Sequence, residues 1–414
     1  FTNLNVLLIA IVGFVDLTGT GLIFPVRALY ARQMGANMFE IGMIAASFLL
    51  AEFIFQIPFG VASDKFGRRR MMLIGMTVRM IMPILYLFAA DPWVFIAFRF
   101  IDGIGASAII PAARAYLMDS TPEEKRGEAF GIFSMGTSAG MLLGPAIGGF
   151  VAQWWGYNAP YAFGAAMAAI ALLIIYLRIF DRKHVTSTSK NEQRAGGKLA
   201  TFRRYFGWPL VGALILAVGL NFAFGLMVTL WSIWLADMGA RTDYIGLTFI
   251  SFTIPIILLS GWGGQLSDRL GRWQFIIFGG VLFALMHGAY ALANPGNYFW
   301  LVLGFGAIEG LAFAFAQPAI DGYLADIIPA NARGQVQGIY NSIGLAVAFL
   351  SATFMATLYG YNRALPFIVI SVVEIVCFIG GGLIVVRYQR KPGLSQPQDE
   401  PQPQDAPATL ALAE

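Results

Sequence analysis

The sequence predicts an all-α integral membrane protein with twelve transmembrane helices in two pseudo-symmetric bundles of six. Three observations predict it. Of the 414 residues, 58% are hydrophobic and 12% charged, where a soluble domain carries about 25% charged residues. Apolar windows of about 20 residues, the length needed to cross hydrocarbon, recur along the chain. The second half also repeats landmarks of the first: GVASDKFGRRR, Gly60 to Arg70, returns in shortened form as GGQLSDRLGR at Gly263 to Arg272.

The apolar windows fall near 4–27, 39–62, 71–90, 93–117, 128–152, 158–180, 207–235, 243–266, 273–293, 297–324, 334–358 and 363–387. The first starts close to Phe1 with no small-residue cleavage site behind it, so it is read as a permanent span. Residues 1–180 make one six-helix unit and 207–387 the other. Between them, 181–206 is polar, with a Gly196-Gly197 pair, and reads as a linker. The stretch 388–414, containing QPQDEPQPQDAPAT, lacks the apolar content to fold and reads as a disordered tail.

The repeat is specific. Asp64, Gly67 and Arg68 return as Asp268, Gly271 and Arg272, each 204 positions on. Pro111, Asp119, Pro122, Arg126, Gly127 and Gly131 return as Pro318, Asp326, Pro329, Arg333, Gly334 and Gly338, each 207 positions on. Three residues are therefore inserted between the two sets, most simply at the bend near Asn294 to Asn297. A repeat of this length suits a bundle of helices rather than a solenoid, a plan known in secondary transporters.

Lys and Arg crowd one set of alternate loops, including Lys65, Arg68, Arg69, Arg70, Lys125, Arg126, Arg178, the linker and Arg387. The other set holds only Arg27, Arg32, Arg241 and Arg363. The positive-inside rule then places both termini, the linker and the repeated loops in the cytoplasm, in a multi-pass protein of the cell membrane. The net charge of +4 comes from this placement and is no sign of a nucleic-acid partner. The single cysteine, Cys377, and the distant His184 and His287 form no metal set. No G-x-x-x-x-G-K-[ST] loop appears, so ATP is not the energy source.

Gly60, Asp64, Gly67 and Arg68 resemble the signature loop G-x-x-x-D-x-x-G-R-[RK] of the major facilitator superfamily. In the fifth span, Gly131, Gly140, Gly144, Pro145, Gly148 and Gly149 are similar to the pattern G-x8-G-x3-G-P-x2-G-G of its drug/proton antiporters. The first span, with Asp16 and Pro25, resembles the opening helix of tetracycline-type exporters. One departure is in the fourth span, where Asp102 follows Arg99 at i+3 in place of the family's amide, so that the acid can neutralise the arginine on one helix face. The resemblance implies the major facilitator fold, a small-molecule substrate, no cofactor, a proton gradient as energy source, and action as a monomer in the bilayer.

Ionisable groups within spans cost about 2.5–3.5 kcal/mol at mid-helix on insertion scales, so each needs a partner or a wet cavity. Asp16 leads as the proton-coupling candidate, since proton and cargo can compete for its carboxyl; the alternative is a structural hydrogen bond. Asp102 and Glu309, related by the 207-residue offset, read either as carboxylates lining the cavity or as locally neutralised groups, with no base near Glu309 in sequence. The same offset relates Arg114 to Asp321, and the family's facing fourth and tenth spans imply an ion pair that closes the cytoplasmic side. Glu52 could reach the cavity or pair with Arg79, and Glu374 falls on the span that the family places at the periphery.

The resemblance further implies that Asp64 faces the N-terminal end of the eleventh span, and that Arg68 with Asp119 locks the outward-facing state. The fifth-span glycines read equally well as close helix packing. Asn221, Phe222 and Phe224, together with Arg99 and Glu52, are candidate substrate contacts. Trp231 and Trp234 read as pocket wall or, more simply, as outer interface anchors, as do Trp154 and Trp155. The leading expectation is proton-coupled efflux of small apolar or cationic compounds; a proton symporter or facilitator of a polar metabolite, a lipid flippase and a transporter-shaped sensor are the alternatives.

Overall fold

A computed structural model describes residues 4–122, 125–180, 206–328 and 333–389. These form α1 (Leu4–Gln33), α2 (Met38–Phe66), α3 (Arg68–Tyr86), α4 (Pro92–Ser120), α5 (Arg126–Trp155), α6 (Ala159–Arg178), α7 (Trp208–Asp237) and α8 (Thr242–Leu270). They continue as α9 (Arg272–Leu292), which contains a π-helical turn at Phe275–Gly279 and ends in a 3-10 turn at Tyr290–Leu292, then α10 (Tyr298–Ile327), α11 (Arg333–Tyr361) and α12 (Leu365–Gln389). The linker and tail expected from the sequence lie outside the described residues, apart from Phe206 and the end of α12.

Among the described residues, eleven helices are long and apolar enough to cross a membrane, where twelve spans were expected. The twelfth, α3, has 19 residues and carries Arg68, Arg69, Arg70 and Arg79, too much charge for its length on composition alone. Several helices have 30 residues, about 45 Å at 1.5 Å per residue, and overrun a hydrocarbon layer of about 30 Å. Local chemistry sets their ends. Asn37 and Glu40 close a capping box at the start of α2. Asp91 accepts from the backbone N–H of Trp93 and Val94 at the start of α4, with Pro92 at the first helical position.

The repeat is visible in the loops. Gly67 and Gly271 have φ of 101° and 103°, a region that favours glycine, and each N–H donates back to the carbonyl of Ser63 or Ser267. Arg68 pairs with Asp64 and, at 3.2 Å, with Asp119; Arg272 pairs with Asp268 at 3.0 Å and with Asp326 at 2.7 Å. The three-residue insertion falls where expected: Asn297 and Asn294 bond each other's backbone in the bend before α10.

Within the first half α1 packs along α5 and α6, α2 along α4, and α3 along α4 and α6; within the second, α7 packs along α11 and α12, α8 along α10, and α9 along α12. The halves meet through α2 with α11 and α5 with α8. Gly140, Gly144 and Gly148 face α1, where a Cβ on Gly144 would lie 2.7 Å from Cα of Gly21 and one on Gly148 would meet the Leu22 carbonyl. Gly149 points the other way, to Gly246 of α8. Gly42 meets Ala356 of α11, the counterpart crossing, since the 204 and 207 offsets carry Gly42 to Gly246 and Gly149 to Ala356.

Polar contacts between the halves gather at the end away from the signature loops. Arg32 of α1 pairs with Asp237 of α7 at 2.5 Å, and the Thr242 hydroxyl of α8 donates to Gln153 of α5 at 3.0 Å; Tyr359, within the second half, also donates to Asp237 at 2.8 Å. At the signature-loop end Arg114 and Asp321 are exposed, with Asp321 accepting from Gln317 of its own helix. The inferred Arg114–Asp321 pair is not formed here. Asp64 is 60% exposed and bonded to Arg68, so no contact to α11 is seen among the described residues. The Arg68–Asp119 bond lies wholly within the first half and is present with the opposite ends of the halves joined.

Gly148→Ala should lower the melting temperature of the detergent-solubilised protein by several degrees, because the new methyl meets backbone that cannot swing away. Gly131→Ala, where a Cβ meets nothing within 4 Å, should hold or raise it by a fraction of a kcal/mol of helix propensity, about 0.5–1 kcal/mol at most. Equal melting temperatures for the two variants would show that the α1–α5 contact is looser than described.

Candidate functional site

Two small buried cavities lie at related positions in the two halves. The first is lined by Asp16, Gly19, Thr20, Ile23 and Arg27 of α1, Arg79 and Pro83 of α3, Arg99 and Asp102 of α4, and Gly164 and Ala168 of α6. The second is lined by Leu226, Met227 and Trp231 of α7, Thr248, Phe249 and Phe252 of α8, His287 and Tyr290 of α9, and Gly306 and Glu309 of α10. Each holds about 20 Å³, room for a water-sized group. The offsets carry Ile23 to Met227, Arg27 to Trp231, Pro83 to His287, Arg99 to Gly306 and Asp102 to Glu309. One framework therefore presents two chemistries.

In the first half each lining acid is answered by a guanidinium. Arg79 binds Asp16 at 3.0 Å and also donates to the Thr20 hydroxyl. Arg99 binds Asp102 at 2.8 Å, its guanidinium lies over the Phe48 ring, and the Tyr86 hydroxyl donates to Asp102 at 2.7 Å. The i, i+3 neutralisation read from the sequence is thus present. Glu52 is half-exposed on α2, and among the described residues it makes no ion pair with Arg79.

In the second half the matching tyrosine, Tyr290, donates to Glu309 at 2.6 Å, as Tyr86 does to Asp102. No arginine follows. Instead His287 lies between two carboxylates, with Nε2 3.4 Å from Glu309 and Nδ1 2.9 Å from Glu374. Glu374 is wholly buried, and its second oxygen has no hydrogen-bond partner among the described residues. Glu374 is thus a member of the cluster rather than peripheral, and Glu309, with no base near it in sequence, bonds to a neighbouring helix, one of the two readings open to it. The signal that could have found the cluster is the 204-residue offset, which carries Tyr86 to Tyr290 and Pro83 to His287.

Other candidates fall elsewhere. Arg27, placed by charge counting in an outer loop, is 5% exposed inside α1 and donates to the Val228 carbonyl of α7 at 2.7 Å. The helix runs on to Gln33, which is why a span ending at 27 misplaced it. Trp231 and Trp234 are buried, not interface anchors: the Trp231 indole donates to Thr248 at 2.9 Å, and its ring meets Tyr290 edge-on. Trp154 and Trp155 are exposed at the end of α5. Asn221 donates to Ala217 of its own helix and packs against Gly344 of α11. Asn221, Phe222 and Phe224 are half-buried and line neither cavity.

The sequence pattern of the Major Facilitator Superfamily matches residues 9–242 and again 213–412. The chain belongs to that family of transporters. It is 27% identical to an uncharacterized transporter of this type, MJ1560, from Methanocaldococcus jannaschii, over 88% of this chain and 94% of that one. It is 26% identical to Multidrug resistance protein 2 of Bacillus subtilis, over 91% and 94% of the two chains. Among solved structures, a D-xylose-proton symporter superposes with a TM-score of 0.75 at 16% identity, covering 91% of this chain and 97% of that one. That likeness shows the fold alone.

Breaking a buried pair by removing one partner costs about 3–5 kcal/mol, since the other charge is left unanswered. Asp16→Asn and Arg79→Gln should therefore each destabilise the folded protein strongly, while the double variant should recover a large part of the loss. Additive losses in a double-mutant cycle of thermal stability would show that the pair is not coupled as its geometry indicates.

Proposed function

We propose that this protein is a proton-coupled exporter of small, largely apolar molecules that works by alternating access. Two bundles of six spans, with α3 as the twelfth, rock about the seam between α2, α5, α8 and α11. The arginines Arg68, Arg69 and Arg70 of α3 lie at its loop end, and Arg79 is matched by Asp16, so the remainder is apolar enough to span. Both termini are cytoplasmic, as the crowding of basic residues in one set of loops supports. The seam supports rocking because its crossings are built from Gly149 with Gly246 and Gly42 with Ala356, surfaces with no side chains to interlock. In the opposite state Arg114 and Asp321 come together and close the signature-loop end.

The observation that carries the coupling is the Tyr290–Glu309–His287–Glu374 cluster. Protonating Asp16 or Asp102 would strand a buried guanidinium. Protonating the second cluster, which among the described residues pairs with no charged side chain but its own members, only lessens a surplus of negative charge. The proton is therefore carried at Glu309, with His287 and Glu374 holding it in place. Export, the direction proposed, is supported by the similarity to Multidrug resistance protein 2.

In proteoliposomes an imposed pH gradient should drive accumulation of a lipophilic dye by the wild type. Glu309→Gln and His287→Asn should abolish gradient-driven accumulation yet retain dye exchange at equal pH. Loss of coupling in Asp16→Asn with full coupling in Glu309→Gln would move the proton site to the first half. In an accessibility-labelling assay, Arg114→Ala and Asp321→Ala should each shift the balance toward the state open at the signature loops; no shift in either would remove the gate.

A further inference from the structure

The charged groups gathered at the two cavities differ: guanidiniums are in excess at the first and carboxylates in the cluster behind the second. The first holds three guanidiniums, Arg27, Arg79 and Arg99, against two carboxylates, each already bound to Arg79 or Arg99. Arg27 is the surplus cation: among the described residues it meets no carboxylate, only the Val228 carbonyl and the face of Phe24, 5.4 Å from the ring centre. A backbone carbonyl inside a helix is a weak match for a buried cation, whose fork of N–H donors suits a carboxylate.

A second group beside it lacks a partner. The hydroxyl of Tyr161, on α6, is wholly buried, has no hydrogen-bond partner among the described residues, and lies within electrostatic reach of Arg27 and Arg99. A buried hydroxyl without a partner, in the same charged region as a guanidinium without a carboxylate, calls for an acceptor with negative charge. The second cavity presents Glu309 and His287, and His287 is bonded on its far side to Glu374, so the cluster behind that cavity sets two carboxylates against one base. The cavities adjoin through α1 and its neighbours: Phe24, next to Arg27, packs edge-on against Phe249 at 5.6 Å, and Phe249 lines the second cavity with Trp231.

We propose that the cargo is a zwitterionic aromatic molecule whose carboxylate docks on Arg27 and the Tyr161 hydroxyl, its ammonium facing Glu309 and its ring lying against Phe249 and Trp231. This rests on the transport reading and specifies the cargo, where the sequence left small apolar or cationic compounds open. The first cavity has room only for a water-sized group as it stands, so the carboxylate head enters as the halves part, with the body in the aromatic seam. Arg27 binds and orients; it takes no part in moving the proton.

Titration calorimetry of the full chain in lipid nanodiscs at pH 7, with empty-nanodisc heats subtracted, tests this without any gradient. The probes are 2-naphthylalanine, a zwitterion, and its primary amide, which keeps the ring and amine but not the carboxylate. The wild type should bind the zwitterion at least tenfold more tightly than the amide. Arg27→Gln should erase that preference, Arg27→Lys should keep part of it, and Tyr161→Phe, which preserves the packing, should weaken zwitterion binding severalfold with the amide unaffected. Equal or tighter binding of the amide, a preference that survives in Arg27→Gln, or no saturable heat with the zwitterion would each overturn the proposal. Loss of proton coupling with this binding pattern intact would instead sink only the mechanism proposed above.

Discussion

A charge inside hydrocarbon has to be answered by another group inside the same protein, and this requirement shapes both halves of the molecule. In the first half the answers are guanidiniums, and the pairs they make tie α1 to α3 and fix the middle of α4. In the second half they are a phenol and an imidazole, which join α9, α10 and α12. The burial of Arg79, Arg99, Asp16, Asp102, Glu309 and Glu374 is tolerable because each has such a neighbour. Breaking one pair changes the cost of the other group more than its own, so these networks specify how the helices pack as much as they stabilise it.

The two halves share a backbone plan more closely than they share side chains. Positive-φ glycines, serine-to-carbonyl bonds and Arg–Asp pairs recur at the two signature loops because the turn geometry demands them wherever it is used. The tyrosine-to-acid bond recurs too, from Tyr86 to Asp102 and from Tyr290 to Glu309. What differs is the base: Arg99 has glycine as its counterpart, and His287 has proline. A symmetric scaffold can rock between two equivalent tilts while its asymmetric lining gives the two cavities different tasks.

Much of this was readable from the residues. The spans, the repeat with its three-residue insertion, the Arg99–Asp102 pair and the contact role of Gly140, Gly144 and Gly148 all rest on local spacing or composition, which the chain states directly. What was not readable depended on distance through space. Glu309 looked bare because its base sits on α9, and Glu374 looked peripheral because nothing in sequence points to His287. Arg27 looked like a loop residue because hydropathy sees the edge of a window, whereas α1 continues past it. Trp231 and Trp234 fit an interface belt by position, and only the packing of α7 against α8 and α9 shows them inside.

The sign of coupling follows from where charge can change. Under the proposed mechanism the first-half acids stay bound to their arginines, and the second half changes its charge, at Glu309. A cargo bearing only a carboxylate would be repelled by the deprotonated cluster and admitted with the proton, so the same geometry would run as a symporter. A cargo with an ammonium as well reverses the outcome: it needs Glu309 ionised, the proton displaces it, and exchange follows. Export against protons and a zwitterionic cargo are therefore linked statements about one arrangement of charges.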